Sequence, residues 1–404
     1  MVLEVMFGRL EELGNVFPNE VAYDYSVGGV VWRFLIVLYP FFTGLIAGSF
    51  VVSSLAYGLG YKRYYRVAGL ALLLTASLMV VPLFPMAELT QPGRAPEIFT
   101  RPHITSSEMY PGISPMAVFG VVYLAYLILL IFEVLFTFRA DMARRAAETG
   151  GLIYRIFSLG RGYDEASVSL DRKIVKALAI IGIPLAATFH AYVGFLFSSV
   201  KARVLWMDTL IPVHFLTSAI FSGTALVVVA YYLAGKLSRE EVDLDIVRGL
   251  GWIMLWALLV SLGLEIVSEA ARTYYRLPAS GFEYYEELVS RLAVRDIYYI
   301  LSAVILVALL IPKLRNDVRI LLPVSILSLL QVAMYRWMII TTPQLLSRTN
   351  AGFLHYSVEA HEVRLAIGIV ALMGLIFLVL TWIFPWNGYY ATHRDELEGV
   401  GSHG

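Results

Sequence analysis

The sequence predicts an all-α polytopic membrane protein, with about nine transmembrane helices arranged as two helix bundles. Three observations carry that expectation. Of 404 residues, 59% are hydrophobic and only 15% charged, and the mean hydropathy of +0.72 lies well above that of a soluble globular chain. Apolar segments near the roughly 20 residues that a bilayer core demands of a helix recur along the chain. The longest stretches between them, 88–113, 139–172 and 272–294, are too short to bury a core of their own.

The segments run 31–57, 66–87, 114–138, 173–199, 209–234, 249–271, 295–312, 318–341 and 364–385, the seventh being the shortest. Spans one to five, within 31–234, form the first expected bundle, and spans six to nine, within 235–385, the second. Residues 1–30 precede them and 386–404 form a tail. The stretch GGLIYRIFSLGRG, Gly150 to Gly162, reads as a Gly-punctuated basic linker between early and later helices. The first thirty residues lack the basic start, apolar stretch and small-residue cleavage site of a signal peptide, so insertion is expected to rely on internal spans. One set of connections carries 18 Lys and Arg, eight of them between Arg139 and Lys176, and the opposite set 12. The positive-inside rule makes the first set cytoplasmic, which predicts a plasma-membrane protein with its N-terminus outside and its C-terminus inside.

With 31 Lys+Arg against 31 Asp+Glu the net charge is zero, so the basic surface a nucleic-acid partner requires is missing. There is no cysteine, which excludes disulfides, iron–sulfur ligation and thiolate metal sites within the chain.

Ionisable residues inside spans are costly and are therefore functional candidates by default. Placed by depth at about 1.5 Å per residue, they crowd toward one face. Tyr39 lies about 12 Å into the first span from the outer side. His190 and Tyr192 sit one to two turns before the outer end of the fourth, and Asp208 and His214 begin the fifth. The connection after the second span adds Glu88, Gln91, Arg94 and His103. Tyrosine and histidine side chains set in apolar walls can hold the two carbonyls of a quinone and pass protons. Against this, Tyr39 and Tyr192 are equally readable as interfacial belt aromatics among 25 tyrosines. His190 and His214 also raise bis-imidazole haem ligation; haem b bundles usually show more than one histidine pair and small residues to seat the ring, and His214 reads better as a structural histidine.

A second outer group comes from later spans: Glu265 and Glu269 at i, i+4, Arg295, Asp296 and Arg336. These charges either neutralise one another in a buried network, the favoured reading, or form a proton relay. On the inner half Glu133 is expected to be the one carboxylate well inside a span, Asp141 falling past the helix end, which makes Glu133 the stepping stone for protons from the cytoplasm.

The motifs resemble those of the NrfD/PsrC family, the quinone-interacting membrane subunits of polysulfide reductase and related respiratory complexes. LYPFFTGLIAGSF in the first span is similar to the family's aromatic-rich start followed by G-L-x-A-G. ELTQPGRAPEIFTRPHITSSEMYPG resembles a degenerate form of its outer loop. HAYVGFLFSSVKARVLWMDTLIPVHFLTSAIFSG is similar to its block across the fourth and fifth helices, and IPKLRNDVRILLPVSILSLLQVAMYRWMIITTPQ to the longer branch found in periplasmic hydrogenase and sulfite-reduction-linked complexes. Nine spans leave the first of that branch's ten helices without a counterpart, and Glu88 and Gln91 depart from the family's Asp and Arg.

The resemblance implies a subunit that exchanges electrons between membrane quinone, menaquinone by the family's habit, and a ferredoxin-like iron–sulfur partner on the outer face. That partner in turn serves a catalytic subunit of molybdopterin, hydrogenase or cytochrome c type. The subunit itself is not catalytic alone. The family's quinone contacts map to Tyr39, His190 and Tyr192, with Asp208, Glu88 and His103 leading to outside water. Glu133, Glu265, Glu269, Asp296 and Arg336 are the proton-pathway candidates. A haem-bearing cytochrome, a secondary transporter, which would need a midplane polar site with inverted repeats, and a purely structural anchor are the rival readings.

Overall fold

A computed structural model describes residues 30–88, 92–102, 104–105, 112–200, 206, 208–239, 242–275, 292–346 and 353–386. His103 and Gln91 lie outside the described residues. Among the described residues, nine helices are long and apolar enough to cross a membrane. They are α1 (Phe34–Tyr57), α2 (Tyr65–Leu78), α3 (Pro115–Thr149), α4 (Glu165–Ser198), α5 (Ile211–Ser238), α6 (Leu244–Tyr275), α7 (Ala293–Leu310), α8 (Val318–Ile340) and α9 (Ala360–Ile383). The α2 crossing is completed by a short helix, Leu83–Glu88, after a break at Met79–Pro82, where Pro82 supplies no backbone N–H to continue the ladder. Successive helices alternate in direction, so the bundle has a Trp32 end, where α1, α3, α5, α7 and α9 begin, and an Arg139 end.

Helix α1 is the hub. It packs on α2, α4, α5 and α8, whereas α7 leans on α8 and α6, and α9 on α2 and α1. Its centrality follows from its small residues. Gly44 and Gly48 face Ala219 and Gly223 of α5, and both pairs stand one small-xxx-small interval apart, the spacing that lets membrane helices touch backbone to backbone. A Cβ at Gly48 would stand 2.0 Å from the Ala219 carbonyl oxygen, and one at Gly223 would stand 2.4 Å from Gly48 Cα.

The ends of α3 and α4 lie beyond the expected ones. α3 continues past residue 138 to Thr149, and α4 begins at Glu165 instead of 173. Charges expected to end the spans satisfy each other instead. Arg139 on α3 donates from Nε to both carboxylate oxygens of Asp171 on α4 at 2.9 and 2.8 Å, and its Nη2 lies 2.6 Å from Oδ2. Nη1 donates to the carbonyls of Gly162 and Arg161 in the connection at 2.9 and 3.2 Å. Both side chains are fully buried. Asp141, expected past the helix end, is therefore inside α3 and buried. Ser114 caps α3 and Asp164 caps α4 by accepting from the backbone three residues on, and Gly150 ends α3 at φ +70, a conformation glycine adopts without strain.

At the Trp32 end the lead into α1 is clamped by the α8–α9 connection. Gln344 accepts from the backbone N–H of Val31 and Trp32 at 3.1 and 3.0 Å and donates to the Trp32 carbonyl at 3.0 Å. Tyr356 Oη accepts from Phe34 N–H at 2.8 Å and donates to Glu362, which completes a capping box with Glu359 at the start of α9. Burial and the adjacent Glu362 carboxylate both push the Tyr356 phenol above its ordinary range.

Gly48→Ala is expected to destabilise the folded protein by about 1–3 kcal/mol or more, because α1 and α5 have no room to part without dislodging α4 and α8. Gly368→Ala on α9, where a Cβ meets nothing within 4 Å, leaves stability unchanged. Thermal unfolding of both variants in detergent checks the pair.

Candidate functional site

The close approach of α1 and α5 builds a polar chamber between four helices. A Cβ at Gly44 would lie 3.2 Å from Cε1 and Nε2 of His190, so the glycine leaves the imidazole its space. His190, on α4, is fully buried. Its Nδ1 lies 3.1 Å from Thr43 Oγ1 on α1, its Nε2 lies 3.2 Å from Arg336 Nη2 on α8, and its ring stacks on Phe215 of α5 at 5.6 Å.

The donors settle the tautomer. A guanidinium N–H can only donate, so Nε2 is the accepting, unprotonated nitrogen and Nδ1 carries the hydrogen. That hydrogen goes to Thr43 Oγ1, whose own hydrogen goes to the Pro40 carbonyl at 3.2 Å. The chain of donation runs one way, from Arg336 through His190 and Thr43 to the backbone.

Arg336 is also fully buried. Besides His190 it donates to Ser218 Oγ at 2.8 Å and covers the Phe215 ring at 3.8 Å. It forms no ion pair with a described carboxylate, and its Nε and Nη1 have no hydrogen-bond partner among the described residues. Burying a cation without a counter-charge is expensive. The cation–π contact returns only about 2 kcal/mol of that. Two N–H groups thus stand ready for an oxygen acceptor.

Tyr39 and Tyr192 lie on another side of this chamber. Phe119 of α3 joins them, at ring distances of 6.1 Å to Tyr39 and 6.3 Å to Tyr192. Tyr39 is nearly buried, and its hydroxyl makes no hydrogen bond among the described residues. Tyr192 is partly exposed. Thr43 sits one turn along α1 from Tyr39, which links this aromatic wall to the His190 chain. The wall continues inward through Phe189 to Tyr126, whose rings stack at 5.3 Å.

A sequence profile of the family described as Polysulphide reductase, NrfD, matches residues 25–347, well over half of the chain. The chain belongs to the NrfD family. The match covers α1 to α8 and ends before α9. Among relatives, a selenate reductase subunit of Mesobacillus selenatarsenatis is 28% identical over 90% of this chain and 88% of its own. A tetrathionate reductase subunit of Archaeoglobus fulgidus is 28% identical over 91% and 97%. An Hdr-like menaquinol oxidoreductase integral membrane subunit of Archaeoglobus fulgidus is 22% identical over 88% and 85%.

The remaining candidates of this NrfD chain sort into separate places. Arg336 bonds His190 and forms no ion pair with Glu265 or Glu269; its guanidinium lies 5.4 Å from the Tyr335 ring, which packs 6.0 Å from the Tyr298 ring. Glu265 accepts from Tyr298 Oη at 2.6 Å and, with Glu269, lines a groove of about 810 Å³ between α6 and α7. Asp296 is largely exposed and lies 3.8 Å from its neighbour Arg295. Asp208 accepts from the Leu210 backbone at 2.8 Å and from Ser268 Oγ, tying the start of α5 to α6. Glu88 lies 3.7 Å from Arg33 at the Trp32 end. His214 Nε2 lies 2.9 Å from Ser261 Oγ. In the other half of the bundle Glu133 is fully buried on α3, and neither carboxyl oxygen has a hydrogen-bond partner among the described residues.

Thr43, Phe215 and Ser218 escaped the sequence reading. Thr43 follows Tyr39 by four residues and Ser218 follows His214 by four, so helical periodicity held the signal.

At neutral pH His190 is expected to be a pure Nδ1–H tautomer, and Arg336→Met is expected to give a mixture, since nothing then demands the Nε2 lone pair. Nitrogen-15 spectra of histidine-labelled protein read the two states directly.

Proposed function

We propose that this chain is the membrane subunit of a respiratory oxidoreductase complex, exchanging electrons between membrane quinone, specifically menaquinone, and an iron–sulfur partner subunit docked at the Trp32 end. The observation that carries the reading is the buried Arg336 guanidinium, held by His190 and paired with no carboxylate among the described residues, where two of its N–H-bearing nitrogens have no hydrogen-bond partner. Such a group suits an uncharged molecule whose carbonyl oxygens gain negative charge as electrons arrive. The names of the selenate and tetrathionate reductase subunits and of the menaquinol oxidoreductase subunit support the same reading.

A quinol supplies two electrons and two protons on oxidation. In this reading Arg336 binds one carbonyl oxygen, while His190 orients the guanidinium through Nε2 and takes a proton there once that contact opens. The Tyr39 hydroxyl serves the other oxygen, with Tyr192 and Phe119 as the lipid-side wall. Asp208 and Glu88 stand toward the Trp32 end and pass protons to water, with His103 in the same loop region. The Lys and Arg asymmetry supports that end as the outer one. Without cysteine, the chain cannot ligate a cluster, so electrons go to or from the partner, which serves a catalytic subunit of its own.

Glu133 supplies a route from the opposite side. It is two turns from Tyr126 on the same face of α3, about 10 Å along the axis, and Tyr126 stacks on Phe189 beside His190. A buried carboxyl group with no hydrogen-bond partner among the described residues is suited to holding a proton.

In the purified complex with a menaquinol analogue, Tyr39→Phe combined with His190→Ala is expected to lower quinone-linked turnover by about 100-fold or more, and Arg336→Gln to do the same with the chain still inserted. Unchanged turnover in these variants sinks the assignment. In proteoliposomes driven in the direction of quinone reduction, where each quinone takes up two protons, Glu133→Gln is expected to abolish proton uptake from the Arg139 side; uptake equal to that of the unmodified protein would remove Glu133 from the route.

A further inference from the structure

A second groove, lined by neither His190 nor Arg336, opens at the Arg139 end. Its volume is about 630 Å³, and Ile220 of α5 and Ile253, Trp256 and Val260 of α6 form its apolar walls. Arg63 and Tyr64, just before α2, close its mouth. They lie directly on the α6 backbone: a Cβ at Gly249 would stand 2.7 Å from Tyr64 Oη and 3.0 Å from Arg63 Nε. From Gly249 to Val260 the helix rises about 16 Å, half of a hydrocarbon core of about 30 Å. The groove therefore has the length of one leaflet, running from the headgroup level to the bilayer centre.

The mouth carries excess positive charge among the described residues. Arg63 lines it, Lys62 and Arg66 stand within three residues of Arg63, and Arg248 precedes the lining Gly249, against Asp243 and Asp245. Arg63 Nη2 pairs with Asp245 at 2.5 Å and Arg66 with Asp243 at 3.7 Å. Lys62 and Arg248 are exposed and form no ion pair with a described carboxylate. Two aromatic residues of the groove, Trp252 and Trp256, keep much of their surface open, and Arg315 backs Trp252 at 3.7 Å from the ring centre. A basic pocket between helices that continues into an apolar slot one leaflet long is complementary to an anionic lipid.

We propose that this groove is a binding site for one anionic phospholipid of the leaflet at the Arg139 end, with its phosphate against Lys62, Arg63 and Arg248 and one acyl chain between Ile220 and Trp256. The site is independent of the quinone reading, because neither the groove nor its basic rim includes a residue of the His190 chamber.

The test uses the full chain in nanodiscs of phosphatidylcholine, with and without phosphatidylglycerol, read by thermal unfolding and by native mass spectrometry of retained lipid. Phosphatidylglycerol is expected to be retained in preference to phosphatidylcholine and to raise the unfolding midpoint. Each basic residue near an anionic headgroup contributes about fivefold, so the double variant Lys62→Gln, Arg248→Gln is expected to lose about 25-fold of that preference while its midpoint in phosphatidylcholine alone stays unchanged. Val260→Trp, which fills the deep end, is expected to abolish retention with the rim intact. Equal retention of the two lipids, an undiminished preference in the double variant, retained phosphatidylglycerol in Val260→Trp, or the same stabilisation from inorganic phosphate alone would each overturn the proposal.

Discussion

The contact between the backbones of α1 and α5 at Gly48 and Gly223 is the constraint on which the rest of the bundle depends. In hydrocarbon no water is expelled when two helices meet, so association rests on close packing and on polar groups that find partners. Drawing α1 against α5 places Thr43 beside His190, leaves Gly44 as the space for the imidazole, and presents Phe215 and Ser218 to Arg336. A wider spacing would remove each of those contacts together. The polar chamber is a consequence of two glycines before it is a consequence of any polar residue.

Among the fully buried charged or acidic side chains, Arg139, Arg336 and Glu133 meet three different fates. Arg139 has Asp171 and the carbonyls of its own connection, which makes it a structural clasp and explains how α3 and α4 run on beyond the expected spans. Arg336 has an imidazole, a hydroxyl and an aromatic face but no carboxylate among the described residues. Glu133 has no hydrogen-bond partner there at all. Since an uncompensated charge in a membrane interior is a cost that packing alone does not offset, the last two are where chemistry is to be sought, and the first is not.

Much of the fold was legible because it depends on one-dimensional information. Length and apolarity located all nine crossings found among the described residues, and the rise per residue put Tyr39, His190 and Tyr192 at similar depth. What sequence leaves open is azimuth, the direction in which a residue at a given depth faces. Arg336 shares its depth with Glu265 and Glu269, and depth alone joined it to them; the rotation of α8 turns it to His190 instead. Asp141 was misplaced for a related reason. A charge after an apolar run reads as a helix end unless its surroundings are known, and the pairing that carries α3 past that point lies 32 residues away in Asp171. The motifs of the fourth and fifth helices were recognisable as a block, yet they did not reveal that Ser218 within that block is a ligand of a guanidinium on α8.

The clamp of Gln344 and Tyr356 on Val31–Phe34 has a bearing on biogenesis. Synthesis delivers α1 before the α8–α9 connection, so the backbone groups ahead of α1 acquire these partners only after seven further described crossings, α2 to α8, have been made. Until then the hub helix sits in the membrane with its leading segment unlatched. The topology is therefore closed by its final connection, and a chain truncated before Gln344 would possess nearly every helix of the bundle without the latch that joins its beginning to its end.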